Sequence, residues 1–333
     1  MIKMLMFDIK KSEKVFLKNC YVDDFDIKIF ENNLDKTTEL SIKDCDETSV
    51  ISVFITSKIT KEVLDKFKNL RVITTRSVCF NHIDLEECRR RNIAVINAVS
   101  YGQKSVPEFV IGLLFALQRK IFLASNEVKK GINNFENYLG REFKNITLGI
   151  IGTGTIGSRV CELGNKLGMK ILANDIVINN TIKEFCEYVS MTDLLRKSDI
   201  VSLHIPYLKE FKHMFSEKEF EIMKDGSYLI NTSQGEFIDF VALYRALLNK
   251  KLSGAALDMV IDKERDVFED INTKADYDEL EKIIVCQKLT EADNVIITPG
   301  IASDTEETLN AIITSNFNDI KDFYKGRKTN RVV

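Results

Sequence analysis

The chain contains no tryptophan, three prolines and three histidines. The shortage of histidine matters most, because every imidazole available for proton transfer or metal binding is His82, His204 or His213. Its cysteines, at 20, 45, 79, 88, 161, 186 and 286, form no C-x-x-C pair and no metal-finger spacing. That excludes a disulfide framework and a zinc ribbon, and reads as reduced thiols in a cytoplasmic protein. No metal is expected. No apolar run approaches the ~18 residues of a membrane-spanning helix. The opening MIKMLMFDIKK is too short in its apolar part for a signal sequence and has no small-residue cleavage site. The formal net charge is −3 and no block of like charges stands out, which argues against general attraction to nucleic acid or anionic membrane. There is no tandem repeat and no low-complexity segment.

What is present is ordinary globular composition, with 44% hydrophobic and 29% charged residues, over a length of 333. That length allows roughly two domains of ~150 residues. In the first hundred residues the apolar runs MIKMLMFDI, SVISVFIT, RVITTRS and IAVINA read as strands. KSEKVFLKNC, TKEVLDKFKN and DLEECRRRN read as helices beside them. Alternation of this kind predicts a parallel sheet covered by helices. A long helix is predicted from Ser105, with Ser105 and Glu108 as a capping box and Pro107 in the first turn, running through Gln118 and Arg119 toward Gly131. Being apolar over more than one face, it should be buried against another domain or subunit.

The rhythm restarts at Ile146 with the strands ITLGII, MKILANDI, DIVSLHIP, SYLINTS, SGAALDM and NVIITPG, separated by helical runs. Six such strands fit a doubly wound sheet. Residues Val260–Asp293 are charged and irregular and read as a surface excursion. TEETLNAIITSNFNDIKDFYKG reads as one amphipathic helix.

Gly152, Gly154 and Gly157 form G-x-G-x-x-G between an apolar strand and a helical run, and Asp175 follows at the end of the next strand. Such glycines permit a tight turn, backbone approach to a pyrophosphate and close helix–sheet packing, with the phosphates at the helix N-terminus. An acidic residue at the position of Asp175 accepts hydrogen bonds from the adenosine ribose and repels a 2′-phosphate, so NAD is expected over NADP.

Several ordered blocks extend this over almost the whole chain: ITTRSVCFNHIDLEE, INAVSYGQKSVPEF, GIIGTGTIGSRV, SDIVSLHIP, MKDGSYLINTSQGEFID, LSGAALDM and VIITPGIASDTEE. In these the chain resembles the NAD-dependent D-2-hydroxyacid dehydrogenases, in particular the D-lactate dehydrogenase branch. The resemblance implies two doubly wound α/β domains, a Rossmann cofactor domain (101–300) inserted into a flavodoxin-like substrate domain (1–100 and 301–333). The substrate would lie in the interdomain cleft, and the chain would form a homodimer through the cofactor domain. Cofactor contacts carry over to Thr155 and Ile156 in the phosphate turn, Ile205 and Pro206 on the adenine and ribose side, Thr232 and Ser233 beside the nicotinamide ribose, and Asp258 at the carboxamide.

The reactive half does not carry over. Where the family has an arginine for the carboxylate, a glutamate and a proton-donating histidine, this chain has Gln234, Lys263 and Gly300. Glu264, one residue on, would take the glutamate role under a one-residue loop shift. Lys263 is readable as a general acid or, more simply, as a solvated charge. The three histidines all match positions outside the proton-donor role, and His204, expected toward the nicotinamide side, is the least remote stand-in. On the substrate loops, Val78 precedes Cys79, which replaces a glycine, and Tyr101 remains as a cleft-lining side chain. Three functions follow as expectations: an oxidoreductase with altered chemistry, a non-catalytic NAD(H)-binding sensor, scaffold or partner of another protein, and a structural dimer without ligand.

Overall fold

In the computed structural model, residues 1–19, 24–98, 101–132, 135–206, 208–259 and 274–333 are described. The chain divides into two compact units, Met1–Tyr101 with Asp304–Val333, and Gly102–Ser303.

The first unit begins with β1 (Ile2–Met6), α1 (Lys11–Asn19), β2 (Phe25–Ile29), α2 (Ile42–Glu47) and β3 (Val50–Val53). It continues with α3 (Lys61–Leu64), β4 (Val72–Thr75), α4 (Leu85–Arg90) and β5 (Ala94–Asn97). All pairings are parallel, in the order β2-β1-β3-β4-β5. That is the flavodoxin-like winding. Every residue of β3, β4 and β5 is buried, as a sheet covered on both faces requires. The edge strand β2 was not expected, because Asp26 and Lys28 interrupt its apolar residues and most of it is not buried. Its Lys28 ammonium reaches Asp44 at 2.6 Å, on a helix that Ser41 caps through Asp44 N–H at 3.1 Å.

The second unit contains α5 (Ser105–Gln118), α6 (Ile121–Lys129), β6 (Thr147–Ile151), α7 (Thr155–Lys166), β7 (Lys170–Asn174), β8 (Glu187–Tyr188) and α8 (Met191–Lys197). Beyond these lie β9 (Ile200–Leu203), α9 (Glu217–Ile222), β10 (Ser227–Asn231), α10 (Phe240–Leu248), β11 (Leu252–Asp258), α11 (Lys274–Glu291) and β12 (Val295–Thr298). The sheet is parallel throughout, in the order β12-β11-β10-β9-β6-β7-β8. All six expected strands are there. The two-residue β8 is an addition, too short to leave a hydrophobic run.

Three expectations need correction. The long helix from Ser105 is two helices, because Lys120 adopts a left-handed φ of 49° between α5 and α6. The capping box at Ser105 does not form: Lys104 is the cap residue and makes no side-chain cap bond. Gly102 O already accepts Val106 N–H at 3.0 Å, so helical bonding starts before Ser105, which lies inside the first turn. The supposed excursion Val260–Asp293 includes the eighteen-residue α11, whose Val285 and Leu289 enter the core one turn apart. A stripe that narrow in a charged sequence does not read as a helix.

The chain then returns to the first unit as α12 (Glu306–Tyr324), capped by Thr305 through Thr308 N–H at 3.2 Å. Its Ile313, Phe317 and Ile320 pack on Met4, Met6, Val50, Val72 and Ile96. The last residues lie antiparallel on β5, Val332 N–H donating to Val95 O at 2.8 Å, and cover that sheet edge.

The strand ends of this unit are tied by Arg76, which is 2% exposed. Its Nε donates to Glu13 Oε1 at 2.9 Å, Nη1 to Ser52 Oγ at 3.0 Å, and Nη2 to the carbonyls of Phe7 and Asp8 at 2.8 and 3.0 Å. One guanidinium thus joins α1 to the ends of three strands. Removing it strands a buried carboxylate and two carbonyls. Arg76→Ala is expected to destabilise the protein by about 3–5 kcal/mol, whereas breaking the exposed Lys61–Asp65 pair should leave stability nearly unchanged. Urea unfolding of both variants measures this, and equal midpoints would contradict it.

Candidate functional site

The site of the second unit is built at the carboxyl ends of its strands, around the point where strand order reverses between β6 and β9. Gly152 leaves β6 at φ +90°, and a Cβ there would lie 2.4 Å from His204 O. A Cβ on Gly157 would lie 1.9 Å from Gly152 O, so only glycine lets α7 sit this close to the strand. Gly154, by contrast, caps α7 with no side-chain cap bond, and nothing lies within 4 Å of a Cβ built on it. Thr155 and Ile156 follow as the first helical residues, whose N–H groups no helical carbonyl can accept. A bare backbone turn opening an uncapped twelve-residue helix fits a dinucleotide pyrophosphate.

Asp175 follows β7 and faces back onto the turn. Its Oδ2 accepts Thr153 N–H at 2.5 Å and Thr153 Oγ1–H at 3.0 Å, and its Oδ1 accepts Val177 N–H at 3.1 Å. Burial works to raise this carboxyl, and those hydrogen bonds outweigh it, holding the group below its ordinary value. It therefore stands ionised in the physiological range.

His204 lies against the Gly152 turn. Its N–H donates to Ile151 O at 2.7 Å, its carbonyl backs Gly152, and its Nε2 shares a 2.9 Å hydrogen bond with Ser202 Oγ. Burial pushes this imidazole down to about 3, so it is neutral in the physiological range. Ile205 packs its Cγ2 against the Gly152 turn, and Pro206 follows it, exposed. Ser233 Oγ donates to Leu203 O at 3.1 Å, tying the end of β10 to β9. Beside it the Thr232 hydroxyl is buried without a hydrogen-bond partner among the described residues.

Asp258 was expected at the carboxamide. Here both its oxygens are engaged by the turn after β12: Thr298 Oγ1 at 2.5 Å, Ile301 N–H at 2.8 Å and Ala302 N–H at 2.7 Å. Gly300 sits in that turn at φ +74°, its N–H donating across Pro299 to Thr298 O at 3.0 Å. Gln234 lies beyond β10, half-buried, with its carbonyl accepting Asn231 Nδ2–H at 2.9 Å. The positions of Gln234 and Gly300 thus flank the end of β11. Lys263 and Glu264 lie outside the described residues.

In the first unit Val78, Cys79 and Tyr101 do come together. Val78 N–H donates to the Tyr101 hydroxyl at 3.2 Å, which burial pushes above its ordinary value. Asn97 Nδ2 holds Val78 O at 2.9 Å, and Ser77 Oγ holds Cys79 O at 2.5 Å. Asn97 and Ser77 were not singled out from sequence, and no spacing marks them. His82 reaches Thr75 at 3.2 Å, and His213 lies on an exposed turn at φ 55°. Among the described residues no group of three or more His, Cys, Asp or Glu side chains could hold a metal ion, and no helix is long and apolar enough to cross a membrane.

The depressed His204 fixes a pH dependence. Unfolded, it binds a proton below about 6.5; folded, it stays neutral until about 3. Between those values the unfolded chain holds more protons, so this group makes stability fall as pH drops and leaves it unchanged above the window. Urea unfolding from pH 4 to 7 should show a shallower slope for His204→Gln than for the unmodified chain, and identical slopes would contradict the assignment.

Residues 111–302 match the family profile described as D-isomer specific 2-hydroxyacid dehydrogenase, NAD binding domain. An aromatic 2-oxoacid reductase of Clostridium sporogenes is 35% identical over 278 residues, 82% of each chain. Among solved structures, D-lactate dehydrogenase from Aquifex aeolicus, complexed with NAD and lactic acid, is similar with a TM-score of 0.79 and 36% identity, over 97% of this chain and 96% of that one. Apo D-lactate dehydrogenase from Escherichia coli gives a TM-score of 0.85 at 26% identity over 100% of both chains. With its parallel α/β units, its glycine turn and Asp175 in place, the chain belongs to the D-isomer specific 2-hydroxyacid dehydrogenase family of NAD-binding oxidoreductases.

Proposed function

We propose that this protein binds NAD(H) as its relatives do but does not carry out ordinary 2-keto acid reduction. If it turns over, it acts on a CH–OH or C=O group by a route that does not use the inherited arginine, glutamate and histidine. The observation that carries this is Gly300, a glycine in a left-handed turn where the family places its proton donor. Bound NADH would supply a hydride; the protein must supply the matching proton and hold the substrate's charge. Gln234 offers hydrogen bonds but no positive charge, a poor replacement for a paired guanidinium. The surroundings of the three imidazoles support this reading: burial keeps His204 neutral, His82 shares a hydrogen bond with Thr75, and His213 sits on an exposed turn.

The same observation favours a second reading, a non-catalytic NAD(H)-binding sensor, scaffold or partner protein. Both readings share the preference for NADH over NADPH from the Asp175 carboxylate, a homodimer formed through the cofactor unit including α5, and a cytoplasmic location. They differ in turnover alone. NADH oxidation over a panel of ketones, aldehydes and imines separates them.

For pyruvate, the unmodified chain is expected to run at least ~10³-fold slower than the triple variant Gln234→Arg/Lys263→Glu/Gly300→His, since such groups act as one unit. Gly300→His alone should stay inactive and lose about 1 kcal/mol of stability, because histidine is strained at this φ. Rapid pyruvate reduction by the unmodified chain would overturn the proposal.

A further inference from the structure

The strand β8 brings in a side chain that neither the glycine motif nor Asp175 includes. We propose that Tyr188 and Asn179 are positioning residues of the cofactor site, heading a one-way chain of hydrogen bonds that pins the Asp175 carboxylate and sets discrimination between NAD(H) and its 2′-phosphorylated counterpart. This rests on the NAD(H)-binding reading above.

The chain runs from Asn179 N–H to Tyr188 Oη at 3.0 Å, from Tyr188 O–H to Thr153 Oγ1 at 2.9 Å, and from Thr153 O–H to Asp175 Oδ2 at 3.0 Å. Its direction is fixed by its ends. A backbone N–H can only donate and an ionised carboxylate can only accept, so each hydroxyl between them has one place to send its single proton. Bonds aligned in one sense polarise one another, and here every dipole points at the carboxylate.

Thr153 is held from its other side as well. Its carbonyl accepts Asn179 Nδ2–H at 3.3 Å and Ser158 Oγ–H at 2.7 Å, and Asn179 Nδ2 also reaches Ser158 Oγ at 3.1 Å. Thr153 is 2% exposed, so these bonds have little competition from water. Tyr188 is itself fixed by strand pairing, opposite Ala173 near the end of β7, two residues before Asp175.

The consequence lies in the asymmetry of Asp175. Oδ2 takes two donors from Thr153, while Oδ1 takes Val177 N–H and keeps acceptor capacity for a ribose hydroxyl. A carboxylate free to rotate could swing away from a 2′-phosphate. A pinned one holds its charge in place, so it binds the ribose diol more tightly and rejects the phosphate more firmly.

The test measures Kd for NADH and for NADPH by calorimetry on the full chain, with Tm recorded without cofactor. The variants are Tyr188→Phe, Asn179→Ala, Thr153→Ser, Thr153→Val and Tyr188→Phe/Thr153→Val. Tyr188→Phe should weaken NADH, relieve NADPH and shrink the ratio of the two constants by roughly fivefold, the effect of one neutral hydrogen bond. Asn179→Ala keeps the backbone N–H to Tyr188 and removes only the amide from Thr153 O and Ser158 Oγ, so it should move the ratio the same way but less, and Thr153→Ser should preserve it. The double variant should be no worse than Thr153→Val, because both changes break one chain. A lowered Tm with an unchanged ratio in Tyr188→Phe would reduce Tyr188 to packing and overturn the inference. Failure of the unmodified chain to bind either dinucleotide would also overturn it, and in that arm alone would bring down the binding reading too.

Discussion

The cofactor unit depends on an approach that leaves no room for a side chain. Gly157, in the first turn of α7, comes so close to the carbonyl of Gly152 that an added Cβ would stand 1.9 Å from it. That approach sets the helix end against the strand end, with its unpaired N–H groups facing outward. It also brings Thr153 to Asp175 and lays the Gly152 turn on the backbone of His204. A branched residue at Gly157 would push the helix away and undo all of these together.

A second turn, after β12, is built with equal care and to a different end. Asp258 gathers three donors from Thr298, Ile301 and Ala302, and the chain bends through Gly300 in a left-handed conformation. Asp175 and Asp258 are held alike, each taking two donors on one carboxylate oxygen and one on the other. What sets the second turn apart is its bend at Gly300, which carries no ionisable side chain.

Much of this was legible in the sequence where the physics is local. The glycine spacing, the buried parallel strands and the carboxylate after β7 each depend on residues close together in the chain, and each appears where expected. What could not be read depends on partners brought from afar or on marginal patterns. β2 carries charges on a sheet edge, β8 is two residues long, and α11 shows the core only a narrow stripe. The helix break at Lys120 carries no proline or glycine to announce it. The chain from Asn179 through Tyr188 to Thr153 joins segments up to 35 residues apart, and no spacing marks it. For Asp258 the position is evident from sequence, but which donors claim its oxygens is decided only by the turn that follows β12.

The central claim is that the dinucleotide site is intact while the reactive positions have been replaced, and binding tests its first half without reference to any substrate. Calorimetric titration of the full chain with NADH should show saturable one-site binding with a micromolar Kd, lost in Gly157→Val while the protein remains folded by circular dichroism. Absence of binding to the unmodified chain at millimolar NADH would contradict the account.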